Sequence, residues 1–148
     1  MTDSSFDLSA VKELIKVLNG GVEFYTEAKK KVDNLMLERI FEQNMLDKAK
    51  AQSELQKFIV ADEGKIESDS AFSVELRESY TKVIALISID KEHTYISQLE
   101  EVEDKVLEKI DKALNSPLPA DCKQTLKQIR ITMQANHDEM KGLQEATS

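Results

Sequence analysis

Apolar residues return every three or four positions along most of this chain, in five stretches separated by polar or turn-forming residues. In the first, from about Leu8 to Val32, the residues Val11, Leu14, Leu18, Val22, Tyr25, Ala28 and Val32 share one face of a helix. Asp33-Asn34 then supplies a short turn and an N-cap. The second helix is expected over about 34–61, with Leu37, Phe41, Asn44, Lys48, Ala51, Leu55 and Phe58 on its inner stripe. A polar break, "ADEGKIESDS", precedes a shorter third segment at about 71–87, carrying Phe72, Leu76, Tyr80, Val83 and Ile87 on one side. Asp90 caps a fourth helix over about 91–114. The run "NSPLP" stops it, and Pro119 suits the first turn of a fifth helix over about 119–144. The stripe of that helix is Cys122, Leu126, Ile129, Met133, Asn136, Met140 and Leu143.

These lengths predict an architecture. A segment of about 25 residues spans about 35 Å at 1.5 Å per residue, so four of the five segments have matching lengths. The short turn at 33–34 makes the first two helices an antiparallel hairpin. The third segment sits between the two hairpins. The pattern predicts an all-α four-helix bundle with one long crossover that carries the short extra helix. Composition agrees: only 4 Gly and 2 Pro occur among 148 residues, and the alternation expected of strands is missing. One domain is expected, over 1–148. Asn19-Gly20-Gly21 interrupts good helix formers inside the first helix, a placement that often marks the close approach of a neighbour.

Charge narrows the range of partners. The formal net charge is −8, which disfavours phosphate backbones and anionic membrane surfaces, so neither nucleic acid nor membrane is expected. No apolar run reaches the roughly 18 residues that a bilayer span needs, and "MTDSSFDLSA" lacks the basic and apolar regions of a signal peptide. The cytoplasm is the expected compartment. Cys122 is the sole cysteine, so an intramolecular disulfide and a cysteine metal cluster are excluded.

Candidate chemistry lies in the polar exceptions on the inner faces. "LEEVED", at 99–104, sets four acids on the fourth helix. At about 100° per residue Glu103 falls inside the apolar arc and Glu100 at its edge, while Glu101 and Asp104 point away. Lys29 lies within the arc of the first helix, Asn44 and Lys48 within that of the second. On the fifth, Asn136 is inside and His137 just outside. The crossover topology puts Tyr25, Asn44, Glu100 and His137 at about one level, with Lys48 and Glu103 roughly a turn further on. A polar layer near mid-bundle is therefore expected, and Lys48 should approach Glu103 across the core.

Two readings of this layer compete. In one, carboxylates and histidine bind iron or manganese, with Glu100, Glu103, His137, Glu54 and Glu27 as the available ligands. In the other, favoured here, Lys48 and Glu103 form a buried ion pair with hydrogen-bonded companions. A dinuclear carboxylate site takes a Glu from each of two helices and Glu-x-x-His from each of the other two. This chain has 2 histidines; His93 is expected to be exposed at a helix start, and His137 follows Gln134 where the motif needs Glu. Two lysines near the layer would also repel a dication. No cofactor is expected on this reading. Cys122 reads as a small core residue rather than a reactive thiol. No glycine-rich phosphate loop and no catalytic Ser-His-Asp set can be argued.

Four stretches together carry a resemblance: "ELIKVLNGGVEFYTEA", "SELQKFI", "LEEVEDKVLEKIDKAL", and "LPADCKQTL" with "NHDEMKGL". In order and spacing the chain resembles the ferritin-like four-helix-bundle domains of unknown function found widely in bacteria. The resemblance covers nearly the whole length and implies a ferritin-like fold without a particular activity. Glu100, Glu103, Asp104, His137 and Asp138 match acidic and histidine positions of that family, and Glu54 matches a Glu before Leu. Lys29 stands where many members have Glu, and Arg77 and Tyr80 stand where many have His and Trp, which weakens the metal reading. The expectation is a non-catalytic binding or structural module, stress-related by analogy. The alternative is a degenerate di-iron-type metal site, and a third reading is a homo-oligomer whose outer faces carry the function.

Overall fold

A computed structural model of the chain describes residues 6–68 and 91–147. Among the described residues there are four α-helices and no strand: α1 (Ser9–Lys31), α2 (Leu35–Glu63), α3 (Lys91–Leu114) and α4 (Ala120–Thr147). The expected helix over 71–87, with Phe72, Arg77, Leu76, Tyr80, Val83 and Ile87, lies outside the described residues, as does Asp90.

Local chemistry explains where the helices begin and end. Leu8 is the N-cap of α1 and brings no side-chain cap, while the preceding Asp7 accepts at Oδ1 from the Ser9 backbone N–H at 3.0 Å. Three lysines, Lys29, Lys30 and Lys31, occupy the last turn, where the helix dipole favours cations. Asn34 is the N-cap of α2, its side chain accepting from Leu37 N at 3.2 Å. Gly64 ends α2 in the left-handed region, at φ 79°, with its N–H on the Val60 carbonyl. Pro119 immediately precedes α4 and its carbonyl takes the Lys123 N–H at 3.1 Å, so it stands one position before the first helical residue.

Inter-helix contacts give the topology. Lys12 meets Glu63, tying the start of α1 to the end of α2. Glu13 receives Lys109 and Lys112 from the end of α3. Ser97 and Gln144 join the start of α3 to the end of α4. Helices α2 and α3 therefore run the same way, and α1 and α4 oppose them.

One apolar core runs between the four helices. It includes Leu14, Leu18 and Tyr25 of α1, Phe41 and Leu55 of α2, Ile96, Leu99 and Val106 of α3, and Leu126 and Met133 of α4. Three stripe positions, Val22, Phe58 and Leu143, are half-buried where full burial was expected. Ile59, not Phe58, is the buried residue late in α2. Both Phe58 and Ile59 lie a helical turn from Leu55, and the core takes the second. No described helix is long and apolar enough to cross a membrane.

Candidate functional site

Polar side chains enter the bundle at mid-height in two adjoining groups. The inner group consists of Tyr25 from α1, Asn44 and Lys48 from α2, and Glu103 from α3. Lys48 and Glu103 have no exposed side-chain surface, and Lys48 Nζ lies 2.5 Å from Glu103 Oε2. The same oxygen accepts a short hydrogen bond from the Tyr25 hydroxyl. The ammonium also sits 4.8 Å from the centre of the Tyr25 ring, a cation–π arrangement. Phe41 packs edge-on against that ring at 5.9 Å. Asn44 lies beside this group and donates to the Ile40 carbonyl at 2.8 Å and to Glu139 of α4 at 3.3 Å.

Gly21 makes room for the lysine. A Cβ at this position would come 2.9 Å from Lys48 Cδ and 3.3 Å from Cε. The expected close approach at the Asn19-Gly20-Gly21 stretch is thus a passage for the aliphatic stem of a buried lysine. Burial and the adjacent Glu103 charge raise the Tyr25 phenol well above its ordinary value, so Tyr25 stays a hydrogen-bond donor. Satisfaction of the group is incomplete. Among the described residues Glu103 Oε1 and Asn44 Oδ1 meet no donor, and Lys48 makes its ion pair without a well-directed hydrogen bond.

The outer group lies at the rim between α3 and α4. His137 Nε2 is 3.2 Å from Glu100 Oε2 and 2.6 Å from Asp104 Oδ1. Glu100 and Asp104 are one turn apart on α3, which brings both carboxylates to the same edge. On the far side of the ring, Nδ1 is 3.4 Å from Asp138 Oδ1, and Asp138 is itself held by Gln134 Nε2 at 3.0 Å. Burial, then the charge of Asp104 and a hydrogen bond with it, hold the Glu100 carboxyl above the usual range, against the pull of His137 and Lys141. Burial tends to lower His137, but the Asp138 and Asp104 hydrogen bonds and the Asp104 and Glu100 charges outweigh it and raise the imidazole.

Several sequence-derived ligands lie elsewhere. Glu27 faces outward and lies 4.0 Å from Lys31. Glu54 lines a cleft of about 250 Å³ between α2 and α4 with Asp47, Lys50 and Thr132, away from both groups. Lys29, placed within the apolar arc of α1, reaches outward instead and pairs with the exposed Glu42; its long stem lets the ammonium leave the arc for solvent. Among the described residues, only Lys48 is therefore a buried cation at the layer. His93 was expected to be exposed; it is half-buried, with Nδ1 2.7 Å from Thr147 Oγ1. Cys122 is buried, and burial followed by the Asp121 charge pushes its thiol up to about 11, which suits a core residue and not a nucleophile.

Asp104 is the member of the outer group that helical phase points away from the bundle. Its side chain is 59% exposed, yet it reaches back to His137. The signal in the sequence was its spacing of four from Glu100.

The chain matches the family described as "Domain of unknown function (DUF2383)" over residues 7–116. The matched span takes in α1, α2 and α3 and stops before α4, which supplies His137. Comparison with curated proteins and with solved structures found no match.

Proposed function

On the premise that the chain belongs to the DUF2383 family, we propose that it is a ferritin-like helical bundle serving as a binding or structural module and not as a catalyst. The Lys48–Glu103 pair carries this reading. At mid-bundle, where a dinuclear carboxylate centre would need acids from facing helices, α2 presents an amide and an ammonium. Glu103 is already neutralised by Lys48 and hydrogen-bonded by Tyr25. A dication there would have to displace a buried ammonium, which desolvation and Coulomb repulsion both oppose. Glu27 and Glu54, which could have enlarged the ligand set, face other surroundings. A cytoplasmic location is part of the same proposal.

Anaerobic loading of the tag-free chain with Fe²⁺, followed by oxygen, tests the reading. The expected result is iron oxidation at the rate of buffer alone. Binding of about two irons per chain with oxygen consumption above that background would overturn it, because a dinuclear carboxylate centre would then be working despite the lysine.

A further inference from the structure

The outer group is not needed to neutralise the inner one, and its geometry is that of a ligand set. The geometry points to a site for one divalent first-row transition-metal ion at the bundle rim, held by His137 Nε2 and by one carboxylate oxygen each from Glu100 and Asp104. The three ligand atoms lie within 4.8 Å of one another. Ligand bonds of about 2.0–2.2 Å in a tetrahedral site set ligand atoms about 3.4 Å apart, so the 2.6 Å edge between His137 and Asp104 would open slightly around an ion. The exposed Asp104 carboxylate is free to make the adjustment.

Two further observations separate this set from an ordinary acidic surface. Both carboxylates converge on one ring nitrogen, at 2.6 and 3.2 Å. A single N–H can serve one of them well and the other poorly, whereas a dication serves all three groups. The second observation is on the opposite side of the ring, where Asp138 stands at Nδ1 and is fixed by Gln134. With an ion on Nε2, the ring would carry its proton on Nδ1 and Asp138 would accept it, as a carboxylate behind a metal-bound histidine does.

The objection that nearby lysines repel a cation loses most of its force. Lys29 is paired with Glu42 on the outside, and Lys48 is spent on Glu103. Lys141 acts on Glu100 and opposes the ion, and it is exposed to solvent. One imidazole with two carboxylates suits Zn²⁺, Fe²⁺ or Mn²⁺ and is a poor match for Ca²⁺, which takes oxygen ligands; Zn²⁺ should bind more tightly than Mn²⁺. The site is mononuclear and lies outside the Lys48–Glu103 pair, so it does not depend on the non-catalytic reading.

Titration of chelator-stripped, tag-free protein tests it. Zn²⁺ binding would be followed by calorimetry, and Co²⁺ binding by visible absorption. The expected result is one ion per chain, with affinity lowered about tenfold or more in Asp104→Asn and in His137→Gln. Asp104→Asn should leave the metal-free melting temperature nearly unchanged, since the side chain is on the surface. His93→Gln should bind like the parent. No binding at about 100 µM Zn²⁺, weaker than a 10⁻⁴ M site, would overturn the assignment. So would equal affinity in the parent, Asp104→Asn and His137→Gln, or loss of binding in His93→Gln.

Discussion

Glu103 and Glu100 stand three residues apart on α3, yet their surroundings differ. The Glu103 side chain has no exposed surface, whereas Glu100 keeps 12%. Glu103 meets the Lys48 ammonium and a phenol donor that burial holds protonated. Glu100 meets the Asp104 carboxylate and the His137 imidazole at the rim of the bundle. The inner group is a closed set, an ion pair shut away from water. The outer group is an open set, with excess negative charge and access to water. A turn of helix thus separates a feature that the core must keep intact from one that solution conditions can change.

The comparison breaks most readily at the inner group. Glu103→Ala should cost about 3–5 kcal/mol, because it strands a buried ammonium. Glu101→Ala, two residues away on the exposed side, should stay within about 0.5 kcal/mol. Chemical denaturation of the two variants checks both; equal losses would mean that Glu103 is solvated. Lys48→Met combined with Glu103→Leu removes both charges and should lie within about 2 kcal/mol of the parent or exceed it, since replacing a buried pair with apolar residues is often neutral or better. The single Lys48→Met should be much the worse of the two.

A smaller loss is expected at Gly21. Alanine there gains helix propensity of about 1 kcal/mol. It also drives a methyl against the Lys48 stem, an overpacking that costs about 1–3 kcal/mol. The lysine cannot swing aside, as Glu103 holds its head. Gly21→Ala should therefore be net destabilising by about 1 kcal/mol, and in the Lys48→Ala background it should become stabilising. A stability series in both backgrounds checks the sign change.

The smallest effect separates the outer group. His137 is raised in the folded state, so its contribution is complete below the unfolded value of about 6.5 and is lost as pH rises through the folded value. Glu100, raised likewise, acts in the same direction at lower pH, from about 4.5 upward. The melting temperature should decline gently as pH rises above about 6.5. His137→Gln should remove that part of the decline, while Glu101→Gln should leave it in place.

Much of the inner group was legible because helical phase is a strong signal for deeply buried positions. Lys48 and Glu103 fall inside apolar arcs on two helices, and an arc can be read from spacing alone. The boundaries followed from Asn34, the Gly64 region and "NSPLP", where the backbone chemistry is local. Phase fails at the rim. Lys29 fell inside an arc but its stem carried the charge out to Glu42. Asp104 fell outside an arc but its carboxylate reached back to His137. Side-chain reach of a few ångströms decides such cases, and no periodicity encodes it. Glu54 and Glu27 show a related limit, since a matching residue type says nothing about which neighbour it will face.

The inner group also has a consequence for the order of events during synthesis. Tyr25 and Glu103 are 78 residues apart. At roughly 5–20 residues per second, several seconds pass between their emergence from the ribosome. For the later part of that interval, after Glu63 has emerged, the α1–α2 hairpin is complete in sequence, but its apolar face carries an ammonium with no carboxylate to receive it. Closing that face before α3 arrives would strand the Lys48 ammonium away from water, a cost that opposes collapse of the first half of the chain on its own.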